Sequence, residues 1–301
     1  MILERIFQDR QVIDFHVNVG NRKAGGFFDG NPDTEEAVRR QFSTEQLTKS
    51  NLYKIGIRTH YSHAEMPAEN KCKFIPSVPI NFVGINPESV EAQLCCLPPS
   101  SIIWFQSFRD PYHQKVVDSG YKKAIAAMGD ETGVISHTDD FGRLKPEALE
   151  ILDLAKARKS IIATPHSNPE RTLPLILEAA KMGLMVIWVH PDSRLINTPL
   201  ELQQALVRQF PDNVYVERAA VFLRDGKQEI YSAEKIVADV RRIGIGNIIF
   251  TSDLGRYKES DPLMPDEGLE WYMQQLASAG LTSDEAEMGI VVNPNKILKN
   301  L

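Results

Sequence analysis

From about residue 130 onward, short apolar runs rich in β-branched residues alternate with stretches whose apolar positions recur at helical spacing. That alternation predicts βαβ units assembled into a parallel sheet. The apolar runs fall at residues 133–136, 160–164, 184–189, 214–217 and 247–252, each bounded by polar, Gly or Pro residues. Continuous runs of this kind suit strands covered on both faces. The helices between them have legible ends. Residues 145–158 carry Pro146 near the first turn, residues 169–182 begin at Pro169 after Ser167 and Asn168 and stop before Gly183, and residues 233–243 follow the same logic. Proline suits a first helical turn and glycine the position just past the last. A fourth helix is predicted over 199–209, where Leu200, Leu202, Ala205 and Leu206 recur at roughly helical intervals.

The first third is less regular. Strands are predicted at 11–17, 53–59 and 101–105, and a helix at 87–97. Residues 20–43 are rich in Gly, Asp and charge and read as a long loop running into a helix near 34–42. Loops of that length in compact enzymes are usually functional. Residues 67–87 read as a second irregular stretch. Adding the strand starts at 11, 53, 101, 133, 160, 184, 214 and 247 gives eight, the closure number of a (β/α)₈ barrel, here distorted in its first third. An open doubly wound sheet would use the same count. It normally carries a Gly-rich phosphate turn after the first strand, where this chain reads Val17-Asn18-Val19-Gly20-Asn21-Arg22. With no repeat or Pro/Ser-rich linker, residues 1–301 are expected to form one domain.

Composition narrows the partners more than the fold. The chain is 43% hydrophobic and 25% charged, ordinary for a globular protein, and its net charge is −6. The basic residues are scattered, so the footprint of a nucleic-acid binder is missing and no nucleic acid is expected. Cys72, Cys95 and Cys96 form no C-x-x-C pair, which suits a reducing compartment. Cys95 and Cys96 read as inert packing, with no histidine or basic residue beside them to activate a thiol. Charges at positions 4, 5, 9 and 10 interrupt the N-terminus, and eighteen apolar residues never run together. The expectation is a soluble cytoplasmic protein without membrane partners. A small-molecule substrate is the expected partner, and assembly into a homo-oligomer stays open.

In a barrel the active site lies at the C-terminal ends of the strands, so polar residues that terminate apolar runs carry the information. The first run ends Asp14-Phe15-His16-Val17-Asn18, the second Arg58-Thr59-His60, the fifth Thr164-Pro165-His166, the sixth His190-Pro191-Asp192, the seventh Glu217-Arg218 and the eighth Ser252-Asp253-Leu254-Gly255. Four of the seven histidines, His16, His60, His166 and His190, fall at such ends. Taken singly, each is most simply a hydrogen-bonded structural histidine. Together with Asp253 they form the imidazole and carboxylate set that suits zinc, iron or manganese.

The chain is similar to the amidohydrolase superfamily, and within it to the phosphotriesterase-like branch, over nearly its whole length. The points of similarity are His16 on strand one, His166, His190, the string Thr251-Ser252-Asp253-Leu254-Gly255 and Val291-Val292-Asn293-Pro294. The segment Gly84-Ile85-Asn86-Pro87 and the Trp104 strand also resemble an uncharacterised amidohydrolase-like group. Two positions depart from the pattern. Asn18 stands where a second histidine would complete His-x-His. The fourth strand ends Val134-Ile135-Ser136-His137 without the bridging lysine of two-metal members.

The resemblance implies a hydrolase that activates water for attack on an ester-like, lactone or amide bond of a small polar molecule. It further implies one divalent metal, zinc in the first instance with manganese or iron as alternatives, held by His16, His166, His190 and Asp253. His60 and His137 are reserve ligands from neighbouring strands. Asp253 takes the role of base, His190 or His60 donates to the oxyanion, and Arg58 and Arg218, with Asn18, bind substrate. Two other functions remain open: a mononuclear-metal decarboxylase or hydratase of a small acid, and a degenerate barrel serving as a regulatory or assembly subunit. His63 and His113 lie in loops and read as surface residues, and Trp104 and Trp188 read as core.

Overall fold

A computed structural model describes residues 2–19, 42, 44–58, 72–107, 109–116, 133–193, 196–224, 231–255 and 263–300. Among these residues nine short strands run in chain order: β1 Ile13–Asn18, β2 Lys54–Arg58, β3 Phe74–Ile75, β4 Ser77–Pro79, β5 Ile102–Trp104, β6 Ile161–Ala163, β7 Val186–Trp188, β8 Val214–Ala219 and β9 Ile248–Thr251. They pair in parallel as β1-β2-β3 and as β4-β5-β6-β7-β8-β9. Only Pro76 separates β3 from β4. Proline has no N–H to give a ladder, so one strand crossing from β2 to β5 is broken there. Its carbonyl still accepts from the Ile102 amide at 2.9 Å. At the other end of the order, the Asn18 amide donates to Leu254 O at 2.8 Å and the Asp253 amide to His16 O at 2.9 Å, joining β9 to β1. With β3 and β4 taken as one kinked strand, eight parallel strands follow one another around a (β/α)₈ barrel.

The predicted strand at 133–136 is not formed. Val134 is 56% exposed there, and the Ile135 amide bonds to Arg109 O rather than to a strand. The missing position is filled by β3 and β4, inside the stretch that the sequence marks as irregular because prolines at 76 and 79 hide its apolar run. The remaining strands and the helices Pro87–Cys95, Pro146–Ala157, Pro169–Lys181, Leu200–Gln209 and Ala233–Ile243 lie within two residues of their expected ends. Of the predicted loop and helix over 20–43, only Phe42 is described, bridged to Val19; the rest lies outside the described residues.

Two hydrophobic layers follow from strand alternation. Ile13, Phe15, Ile75, Ile102, Trp104, Ile161, Ala163, Ile187, Val189, Tyr215 and Ile249 form the inner cluster, with Ile297 of the C-terminal helix Asn293–Lys299 packed among them. Val17, Val19, Val186, Trp188, Val214, Val216 and Phe250 belong to the outer layer beneath the helices. Trp188 is therefore core, as read from the sequence.

β1 changes face along its length, and this change builds the site. Asp14 pairs with Ile55 and Val17 with Ile57, so β1 spends one residue more than β2 between these points. Such a bulge re-aims every later side chain. Ile13 and Phe15 point inward before it, Val17 and Val19 point outward after it, and His16 and Asn18 consequently turn toward the barrel mouth. The bulge also presses the backbone of Phe15 against Gly56, where a Cβ would stand 2.2 Å from Phe15 O. Gly56→Ala is expected to cost about 1–3 kcal/mol by overpacking, measured by urea unfolding. An unchanged midpoint would show that the bulge tolerates retreat.

No helix among the described residues is long and apolar enough to cross a membrane.

Candidate active site

The bulge brings His16 to the centre of the mouth, where it is buried and held from behind. Its Nδ1 lies 2.8 Å from Glu217 Oε1, so Nδ1 carries the proton and donates to the carboxylate. The Nε2 lone pair then faces forward. Glu217 points inward two residues after Tyr215 on β8, and it also accepts from Thr251 Oγ1 at 2.9 Å and from the His190 amide at 3.0 Å. Burial raises the Glu217 carboxyl above the ordinary glutamate range, opposed by His190, the Thr251 hydroxyl and Arg58. Donation from His16 Nδ1, the Thr251 hydroxyl and the His190 amide explains how a carboxylate is kept at full burial.

In front of His16, Asp253 Oδ1 stands 3.0 Å from Nε2, and Asn18 Nδ2 donates to the same oxygen at 2.8 Å. A lone-pair nitrogen and a carboxylate oxygen at this separation repel unless a positive charge lies between or beside them. Arg58 supplies one. Its Nη1 donates to His16 Nε2 at 2.7 Å and its Nη2 to His166 Nε2 at 3.1 Å, while its guanidinium carbon lies 4.9 Å from the Trp104 ring centroid. Trp104 also lies 4.6 Å from the His16 ring and donates through Nε1 to Ile57 O. It is core, as expected, and at the same time a wall of the site.

His166 and His190 complete the cluster, with ring centroids 4.6 Å apart. Burial, and then the positive charge of Arg58, hold His166 well below the usual histidine range, so it is neutral. His190 Nδ1 lies 3.2 Å from Ser193 Oγ, and Phe222 meets the His190 ring edge-on at 4.9 Å. Both His190 and Asp253 have positive φ, 24° and 48°. Non-glycine residues rarely adopt this conformation, and such strain is concentrated at functional sites.

A second layer supports His166. Its Nδ1 lies 3.2 Å from His113 Nδ1 with the rings stacked. His113 is fully buried, not a surface residue, because the helix Pro111–Val116 turns it inward. The surface reading of His113 is thus corrected. Asp110 accepts from the His113 and Tyr112 amides and from Gln106 Nε2, and burial pushes its carboxyl up to about 6. Gln106 Nε2 also reaches His137 Nδ1, whose Nε2 donates to Arg171 O. His137 is bound in this layer rather than at the mouth.

Arg218 is not brought to the cluster. It follows inward Glu217, so alternation turns it outward, where Nη2 donates to Gln203 Oε1 at 2.8 Å and Nη1 to Asp192 Oδ1 at 3.4 Å. His60 and His63 lie outside the described residues. Sequence reasoning gave no role to Asp14, which accepts from the Ser252 and His16 amides. Burial pushes its carboxyl up to about 7. A folded-state value above the unfolded one means that the native protein holds the extra proton between about pH 4 and 7, so this group lowers stability as pH rises through that window. Asp14→Asn should flatten that fall, giving a larger gain at pH 8 than at pH 4.5 by thermal unfolding. Equal gains at both would refute the shift.

Residues 11–217 match the profile of a family described as "Family of unknown function (DUF6282)". The chain belongs to this family. No curated protein matches it. Among solved structures, this DUF6282 chain resembles an amidohydrolase from Pseudomonas aeruginosa, with TM-score 0.51, 13% identity and coverage of 99% of this chain and 98% of that one. It also resembles Metarhizium anisopliae IDCase in apo form, with TM-score 0.52, 14% identity and 98% of each chain covered. At such identity these likenesses show the fold, the barrel that the amidohydrolase resemblance implied.

The donor chemistry fits a metal: the His16 and His166 nitrogens converge on one cationic group, the Asp253 carboxylate stands against His16 Nε2, and Glu217 fixes the His16 tautomer as second carboxylates do for metal-bound histidines. As the side chains stand, however, no three His, Cys, Asp or Glu residues among those described are grouped to hold an ion. Arg58 lies between His16 and His166.

Proposed function

We propose that this DUF6282 member is a metal-dependent hydrolase of the amidohydrolase type. Its substrate is a small polar molecule with an ester-like, lactone or amide bond. The observation that carries this reading is the approach of His16 Nε2 to Asp253 Oδ1 at 3.0 Å, between residues from opposite ends of the chain, with Glu217 fixing the imidazole from behind. His16, His166 and Asp253 would hold one divalent ion, zinc with manganese or iron as substitutes. Bound there, the ion supplies Lewis acidity to the reacting water and to the substrate oxygen.

The rest is the work of this chain's own groups. Asp253 accepts the proton of the attacking water, and Asn18 holds the carboxylate in place for it. His190, supported by Ser193, donates to the oxygen on which charge develops. Phe222 and Trp104 give the mouth two apolar walls that exclude water from the reacting centre.

The test is turnover of a panel of lactones, esters and amides in H₂¹⁸O by metal-loaded protein. Hydrolysis places one ¹⁸O in the acid product. Release of carbon dioxide from a carboxylic acid without label in the remaining fragment would instead identify a decarboxylase and overturn the proposal.

A further inference from the structure

We propose that Arg58 is a built-in cation that competes with a divalent ion for a single seat between His16, His166 and Asp253. The inference rests on the metal-site reading above and adds a control to it. Both terminal nitrogens of Arg58 are spent on the Nε2 atoms of His16 and His166. Guanidinium has donors only, so it engages the same lone pairs that an ion would use. Arg58 is 3% exposed, and its guanidinium carries a permanent positive charge. In this state the two imidazoles are held apart from one another by their hydrogen bonds to the guanidinium. For the ion to enter, the guanidinium has to leave the two imidazoles and slide off the Trp104 face at the end of β2. Metal affinity is therefore set by how readily Arg58 gives way.

The experiment compares wild type and Arg58→Met, stripped with chelator and titrated with Zn²⁺, Mn²⁺ and Co²⁺ by calorimetry, with the Co²⁺ ligand-field spectrum as a readout of imidazole and carboxylate coordination. Methionine keeps much of the length and removes the competing charge. If the seat is open in only a tenth of wild-type molecules, Arg58→Met binds about tenfold more tightly. Wild type that takes no ion beside a variant that does would support the seat while overturning the metal-dependent reading of the native protein. Equal affinity in both would overturn the seat and leave that reading standing. Absence of binding in both would overturn both. Should Arg58→Met not fold, Arg58→Lys serves: one ammonium cannot span both imidazoles, so the same comparison applies. Millimolar guanidinium added to the folded variant should then weaken its metal binding, and no weakening would count against a shared seat.

Discussion

Asp253→Ala is expected to lower kcat by about 10²–10⁴-fold, the range for loss of a positioned general base, and to lower metal content as well. The carboxylate is the only acidic group that the described geometry places against the forward nitrogen of His16, and Asn18 is committed to holding it. Asp253→Asn separates the two contributions. Asparagine tolerates the positive φ of 48° at this position better than alanine does, so it preserves the backbone and removes only the basic oxygen. Steady-state kinetics on the hydrolysed substrate, with circular dichroism to check folding, reads the outcome. Full activity in either variant would remove Asp253 from the chemistry.

The largest stability effect is expected at Glu217. Glu217→Ala strips the acceptor from His16 Nδ1, the Thr251 hydroxyl and the His190 amide at once, and it leaves Arg58 with one carboxylate fewer. Breaking a buried charged network from one side costs about 3–5 kcal/mol. Glu217→Gln should cost less, because its shape is kept, yet its amide must turn an N–H toward one of three donors. Urea unfolding of the three proteins gives the order wild type, Gln, Ala. A Glu217→Ala midpoint within error of wild type would mean that His16 is held by something else.

The sequence made the back half of the barrel easy to read because each strand there is a continuous apolar run with a helix after it. β3 and β4 escaped notice for a physical reason: two prolines within a six-residue strand region suppress both the ladder and the propensity signal, and the pairing that compensates comes from β2 and β5, far away in sequence. The run at 133–136 had strand composition without strand partners, and Val134 ended in solvent. His16, His166, His190 and Asp253 were legible as polar ends of apolar runs. Glu217 could have been found by the same alternation, since Tyr215 and Glu217 share a face and Arg218 does not. The inward turn of His113, the bulge that aims His16 and the insertion of Arg58 between two histidines were not legible, because each depends on neighbours that only the closed barrel supplies.

The central claim is that His16 and Asp253 belong to one metal-dependent centre. Its most direct test is the metal-to-protein ratio of wild type, His16→Ala and Asp253→Ala, each reconstituted with zinc, desalted and analysed by mass spectrometry of the elements beside an activity assay. The account predicts close to one ion per chain in wild type, with metal and turnover lost together in both variants. Full turnover in wild type with no metal, or unchanged metal in both variants, would contradict it.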